Sequence, residues 1–151
     1  MSAATGGDVT ISGRQPGCVF CDIAAGDVPA TVVLRDETVC AFLDQRPVFK
    51  GHVLIVPRGH AATLLDAAPE VLAAVFGAAQ RVARAMEKGL SADGSFLGVN
   101  TKVSQSVPHL HVHVVPRRRK DGLRGFFWPR LPYASDEERE AFGARIRAAL
   151  T

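Results

Sequence analysis

No stretch of the 151 residues approaches the run of ~20 apolar residues that a membrane-spanning helix needs. The first fifteen residues, MSAATGGDVTISGRQ, are small and polar and lack the apolar centre of a secretory signal. Residues 1–15 are therefore expected to be a disordered leader, residues 16–151 a single domain, and the chain cytoplasmic, with no membrane partner. Cysteine is scarce and odd in number: Cys18, Cys21 and Cys40 speak against a disulfide framework. Cys40, between Val39 and Ala41, reads as a small buried hydrophobe. There is no internal repeat, and no low-complexity segment beyond the leader. The formal net charge is only +3, and much of the excess sits in one place, Arg117, Arg118, Arg119 and Lys120, with Arg124 and Arg130 following. Such a run could attract phosphate or nucleic acid, but a solvated positive loop is the commoner outcome, and no nucleic-acid module accompanies it.

Patterning points to an α+β domain with an antiparallel five-stranded sheet, a long helix and a C-terminal helix. TVVLRDETVCAFLD reads as two strands around a turn at Asp36-Glu37, and residues 52–57 as a third strand stopped by Pro57. From Pro69 to Leu90 the period becomes helical. Leu72, Val75, Phe76, Ala79, Val82, Ala83 and Met86 form the apolar stripe, Pro69 suits the first turn, and Gly89 suits the end. SFLGVN is a fourth strand, and residues 109–115 a fifth, entered through Pro108. A last helix starts at Ser135, where SDEE forms a capping box with Glu138, and runs to about Leu150.

The whole chain has five histidines, and three of them, His109, His111 and His113, alternate with Leu110 and Val112 in SVPHLHVHVVP. On a strand they share one face, while Leu110, Val112 and Val114 pack on the other. A face of imidazoles that titrate near neutrality suits chemistry better than mere exposure. Two chemistries compete. The three rings could hold a catalytic zinc with an open position for water, or one neutral imidazole could attack an electrophile while its neighbours orient it and move protons. Spacing leaves both open.

HLHVHVV resembles the signature of the histidine triad family of nucleotide hydrolases and transferases. FLDQRPVFKGHVLIVPRGH is similar to that family's first block, and CVFCDIAAGDVPA to its amino-terminal segment, so the resemblance covers roughly residues 18–116. It implies that His111 is the nucleophile, attacking the α-phosphorus of a nucleotide to form a nucleotidyl-histidine that water hydrolyses. His113 and His52 match positions that contact the phosphate and the nucleophile. Asn100, Gln105 and Ser106 match the polar loop that cups the phosphate, Asp44 the carboxylate that accepts from ribose hydroxyls, and Val19, Phe20, Ile23 and Phe42 the base pocket. Read on its own, Asp44 could simply start the turn before Pro47. The loop NTKVSQSVPH departs from many family members by having no glycine, although a backbone cradling phosphate often uses one.

The Cys18-x-x-Cys21 pair could be apolar filling, a redox pair or half a zinc site, and nothing around it reads as a thioredoxin-like unit. Zinc-containing bacterial triad proteins, to which this chain is similar, imply a structural Zn2+ held by Cys18, Cys21, His60 and His109. The resemblance further implies a homodimer, with the helix over 69–90 and a strand edge as candidate contacts, acting on an AMP- or GMP-type nucleotide. Phe126, Phe127 and Trp128, among arginines, are expected either to shape the leaving-group side or simply to anchor the tail. The rivals to hydrolysis by a nucleotidyl-histidine are a catalytic-zinc hydrolase using all three triad histidines, a nucleotide-binding regulatory protein, and a protein acting on adenylated DNA ends.

Overall fold

The computed structural model describes residues 13–124 and 129–150. Contacts divide the chain into two units, Met1–Arg119 and Lys120–Thr151. Residues 1–12 of the expected leader and the Phe126, Phe127 and Trp128 cluster lie outside the described residues. The rest of that leader, 13–15, has definite partners: Arg14 pairs with Asp22 at 2.7 Å and with Asp27 at 2.5 Å.

The first unit is built on one antiparallel sheet in the order β1-β2-β3-β5-β4, with β1 Val32–Arg35, β2 Val39–Leu43, β3 Val53–Pro57, β4 Gly94–Gly98 and β5 Val112–Arg117. The turn at Asp36 forms as its side chain dictates, since Oδ1 accepts from the amides of Thr38 and Val39 at 2.8 and 2.9 Å. The two central strands β2 and β3 are buried on both faces, and both are correspondingly continuous apolar runs. One face carries helix α2, Pro69–Leu90, whose Val75, Ala78, Ala79, Val82 and Met86 pack on Val39, Ala41, Val53, Ile55, Val112 and Val114. Phe76 does not join them. It is 43% exposed, a correction to the helical stripe, because its position falls beyond the edge of the buried arc.

The opposite face carries the short helix α1, Val19–Ala25, which the sequence pattern did not disclose. Seven residues span barely two turns, and its N-cap, Cys18, makes no side-chain cap bond, so neither period nor capping advertised it. Gly26 ends it in the left-handed region at φ 88. Its Phe20, Cys21, Ile23 and Ala24 bury against Cys40, Phe42, Leu54 and Val56. Full burial of one large apolar side chain contributes about 1.5–3 kcal/mol, so this small element is held by packing, not by intrinsic helicity.

The fifth strand is shorter at its start than the sequence suggests. Pairing begins at Val112, not at His109, because Leu110 donates instead to the Ala61 carbonyl at 2.7 Å. Alternation nonetheless survives: Val112 and Val114 face α2, while the rings of His109 and His111 meet Phe20 edge-on at centroid distances of 6.0 and 5.1 Å.

In the second unit, α3, Asp136–Ala149, begins as anticipated with Ser135 accepting from the Glu138 amide at 3.1 Å. The Glu138 carboxylate accepts from Ala134 at 2.6 Å, one residue earlier than a capping box requires. Among the described residues no helix is long and apolar enough to cross a membrane.

Candidate functional site

A cavity of about 920 Å³ opens on the α1 face of the sheet. Its apolar side is built from Val19, Phe20 and Ile23 of α1 with Phe42 and Leu54 from the sheet, and Phe20 stands edge-on to Phe42 at 5.4 Å. Its polar side presents Asp44, Ser106, His111 and His113. Every apolar residue singled out from the sequence is here. Residues 28–31, which lead into β1, also line it, as do Gln45 and Arg46. Val28, Pro29 and Ala30 close the amino-terminal segment quoted above, and Gln45 and Arg46 adjoin Asp44 in the first block, but the sequence assigned none of them a role.

The ring nitrogens can be assigned from their partners. His111 Nδ1 lies 2.7 Å from the carbonyl oxygen of His109, and a carbonyl only accepts. Nδ1 therefore carries the proton, and Nε2 of the neutral ring keeps its lone pair. His52 works in the opposite sense. The Val48 amide donates to His52 Nδ1 at 3.1 Å, so the neutral His52 ring carries its proton on Nε2 and donates it to His113 Nδ1 at 3.0 Å. His113 is left with its own proton on Nε2. One ring of the triad thus offers a lone pair and its neighbour, 5.0 Å away between centroids, offers a donor.

Charge is kept off His113 and His52 by burial. Burial holds His113 down at about 4, helped by the nearness of His111 and His52 and opposed by Asp44. His52 is lowered for the same first reason, with Asp44 again opposing. Asp44 divides its carboxylate: Oδ1 accepts from the Arg46 amide at 2.9 Å, which makes the turn, while Oδ2 stands 3.8 Å from His52 Nε2. Gly51 precedes His52 in the turn into β3. Its φ is 99, and a Cβ there would lie 2.5 Å from Leu90 Cδ1.

His109 faces elsewhere. Its Nε2–H donates to the Pro57 carbonyl at 2.9 Å, which leaves Nδ1 as the lone-pair nitrogen, 3.3 Å from Cys18 Sγ and 3.5 Å from Cys21 Sγ. His60 Nδ1 lies 3.4 Å from Cys21 Sγ. The donor atoms of Cys18, Cys21, His60 and His109 all fall within 4.8 Å of one another. Tetrahedral zinc bonds of ~2.0 Å to nitrogen and ~2.3 Å to sulfur set N and S ligands about 3.6 Å apart, so this set fits zinc. Burial pushes the Cys21 thiol up, opposed by the Gln15 amide, so a cation is what would favour its thiolate. The three triad histidines do not converge on one point, since His109 groups with the cysteines and His113 with Asp44 and His52. In that second group His52 and His113 are already joined by a hydrogen bond, and a metal on His52 Nε2 would displace its proton to Nδ1 and break the Val48 bond.

The phosphate-side loop departs most from expectation. Asn100 is exposed and does not line the cavity. Gln105 does not line it either. Its Oε1 accepts from Lys102 N at 2.9 Å, and its Nε2 donates to the carbonyls of Ala62 and Val107 at 2.7 and 3.0 Å. Lacking glycine, the loop bends through left-handed Lys102 (φ 68) and Ser104 (φ 58), each at a cost on the order of 1 kcal/mol. At the base of the basic run, Arg118 donates to the Leu90 carbonyl at 2.6 Å and the Arg119 amide to Asp93 at 2.8 Å.

A sequence model of the HIT domain matches residues 25–120. The chain belongs to the HIT family. An adenosine 5′-monophosphoramidase from Schizosaccharomyces pombe is 31% identical to this HIT protein over 134 residues, 88% of this chain and 98% of the relative. A bis(5′-nucleosyl)-tetraphosphatase from the same yeast is 35% identical over 96 residues, 62% of this chain and 53% of the relative. Among solved structures, a zinc-bound histidine triad protein from Mycobacterium smegmatis is 39% identical with a TM-score of 0.69, covering 89% of this chain and 98% of that one. The open five-stranded antiparallel sheet is the HIT fold.

Proposed function

We propose that this protein hydrolyses conjugates of a nucleoside 5′-monophosphate, AMP in the first instance, with an amine or a phosphate chain as leaving group. The observation that carries the reading is the 2.7 Å bond from His111 Nδ1 to the His109 carbonyl, which reserves Nε2 as a nucleophile beside the cavity. In the first step the His111 Nε2 lone pair forms a bond to the α-phosphorus as the bond to the leaving group breaks, the leaving atom keeping the bonding pair and taking up a proton from solvent, giving a nucleotidyl-histidine. In the second, water attacks phosphorus, the P–N bond breaks with its electron pair returning to Nε2, and the monophosphate leaves with the ring restored and the proton from water released to solvent. The His113 Nε2–H is the donor to the phosphoryl oxygen or to the departing atom, and Ser106 lies on the same wall. Asp44 Oδ2 accepts from ribose hydroxyls, and Phe20, Ile23 and Phe42 sandwich the base. Cys18, Cys21, His60 and His109 hold a structural zinc. Its charge keeps both thiols ionised and fixes the chain entering β5, and no step passes through it. The exposed Phe76 of α2 and Leu97 of the outer strand β4 support a homodimer through that edge.

The test is AMP release from an adenosine phosphoramidate and a diadenosine polyphosphate by wild type and His111→Ala, matched for folding by circular dichroism. Release lost in the folded variant, with an adenylyl adduct found on the wild-type protein by intact mass, is the expected result. Release surviving in folded His111→Ala overturns the nucleophile. The adenylylsulfatase of Arabidopsis thaliana, 34% identical over 119 residues, adds a sulfate leaving group to the panel.

A further inference from the structure

We infer that Gln105 is a positioning residue that ties the loop carrying Ser106 to the segment following His60, and does not itself touch the phosphate. What this says of turnover rests on the function proposed above; what it says of the loop rests on geometry alone. The side-chain amide is fully engaged. Oε1 accepts from Lys102, and Nε2 donates to two carbonyls, Ala62 at 2.7 Å and Val107 at 3.0 Å, which uses both of its protons. No donor remains for a phosphoryl oxygen.

The three bonds explain a second feature. Lys102 and Ser104 both hold left-handed backbone without glycine, and such conformations persist only where the surroundings over-determine them. Gln105 bonds one of the two directly and anchors the loop on both sides of Ser106. Its partner Ala62 adjoins Ala61, whose carbonyl takes the Leu110 amide at 2.7 Å. Two rungs therefore join residues 61–62 to the phosphate-side loop and to the start of the triad, directly after His60. Ser106 is placed by this frame, so the frame decides where a phosphoryl group meets His111.

The experiment compares full-length wild type, Gln105→Ala and Gln105→Glu by hydrogen exchange and by steady-state release of AMP. In Gln105→Ala, exchange over residues 101–107 is expected to rise by about tenfold or more, while β3 and β5 stay protected. Its kcat is expected to fall roughly 10–100-fold with KM moving by about threefold or less, as for a misplaced catalytic frame. In Gln105→Glu a carboxylate faces two carbonyl oxygens, whereas its protonated form restores one donor. The ratio of its rate to wild type therefore rises on acidification. Unchanged exchange over 101–107 overturns the inference. So does a raised KM at unchanged kcat, which would mark Gln105 as a direct substrate contact, or a Gln105→Glu ratio that ignores pH. If wild type releases no nucleotide at all, the proposed function fails, and the exchange result alone still decides for or against the strut.

Discussion

Replacing His52 by asparagine should disable the site by moving a proton, without touching substrate contacts made by His111. Asparagine can place an oxygen near the position of Nδ1, and so can still accept from the Val48 amide. It cannot reach His113, whose Nδ1 then loses the donor now 3.0 Å away. A hydrogen bond of this kind contributes about 1 kcal/mol net, and leaving a partly buried acceptor unsatisfied costs about 1–3 kcal/mol. His113 can recover by shifting its proton to Nδ1, but it then turns a lone pair instead of a donor toward the phosphoryl group. A lost donor of that sort costs roughly 10²–10³ in rate. A bias of about 1.4–2.8 kcal/mol toward the Nδ1–H tautomer leaves about 1–10% of His113 rings as donors, so the expected fall in kcat is about 10–100-fold. His52→Gln, whose amide nitrogen can stand near the position of Nε2, should keep more activity than His52→Asn. Single-turnover release of AMP gives the rates, and ¹⁵N shifts of the His113 ring report the tautomer directly. A wild-type spectrum with the His113 proton on Nδ1, or a folded His52→Asn with wild-type kcat, would refute the reasoning.

Cys18→Ser or Cys21→Ser should lower bound zinc well below one per chain by elemental analysis and lower the thermal midpoint, and wild-type protein purified with no zinc would sink the proposed metal site. Stability should also fall with acidification: His113 stays neutral down to about 4 in the fold, while the unfolded ring takes its proton near 6.5. Between those two values the unfolded state binds more protons, so the contribution is present above 6.5 and lost as pH falls toward 4. Discounted for partial exposure it is about 1–2 kcal/mol, and denaturant titrations of wild type and His113→Gln should diverge over that window. Phe76→Glu should convert the proposed dimer to a monomer in light scattering at little cost to folding, because Phe76 is 43% exposed and lies outside the α2 core cluster; a wild-type monomer would sink the proposed dimer, and an unchanged dimeric mass in the variant would move the interface elsewhere.

The sequence was most informative where burial is repetitive. β2 and β3 are continuous apolar runs and α2 turns an apolar stripe to the core, so local pattern locates them. α1 was hidden because its seven residues owe their form to Phe42, Leu54 and the cysteines beneath them. Within the site, the sequence singled out His52, Asp44, His111 and His113 and placed the triad histidines on one face, and the cavity brings Asp44, His111 and His113 together. Which nitrogen of each ring carries the proton was not, because that depends on backbone groups at Val48, Pro57 and His109 that no residue letter encodes. Gln105 misled for the same reason. Its amide could satisfy a phosphate or three main-chain groups equally well, and only the fold brings Ala62 within 2.7 Å.

Three like side chains on one face need not do one job, and the carbonyls beside them explain how they come to differ. His111 and His109 each give one N–H to a backbone carbonyl, yet through opposite nitrogens, so the lone pair of one is reserved beside the cavity while that of the other points into a thiol pair. His113 receives a proton from a side chain instead, and ends as a donor. Burial lowers His109 and His113 to about 4, so near neutrality neither of those two rings depends on gaining a charge for its role. A catalytic zinc gripped by all three rings would need three lone pairs aimed at one point. Here the His111 lone pair lies beside the cavity, that of His109 lies with Cys18 and Cys21, and that of His113 on Nδ1 is already occupied by the proton of His52. The arrangement fits one nucleophile, one donor and one structural ligand, which is why a metal-stripped but still folded protein should retain the His111 adduct.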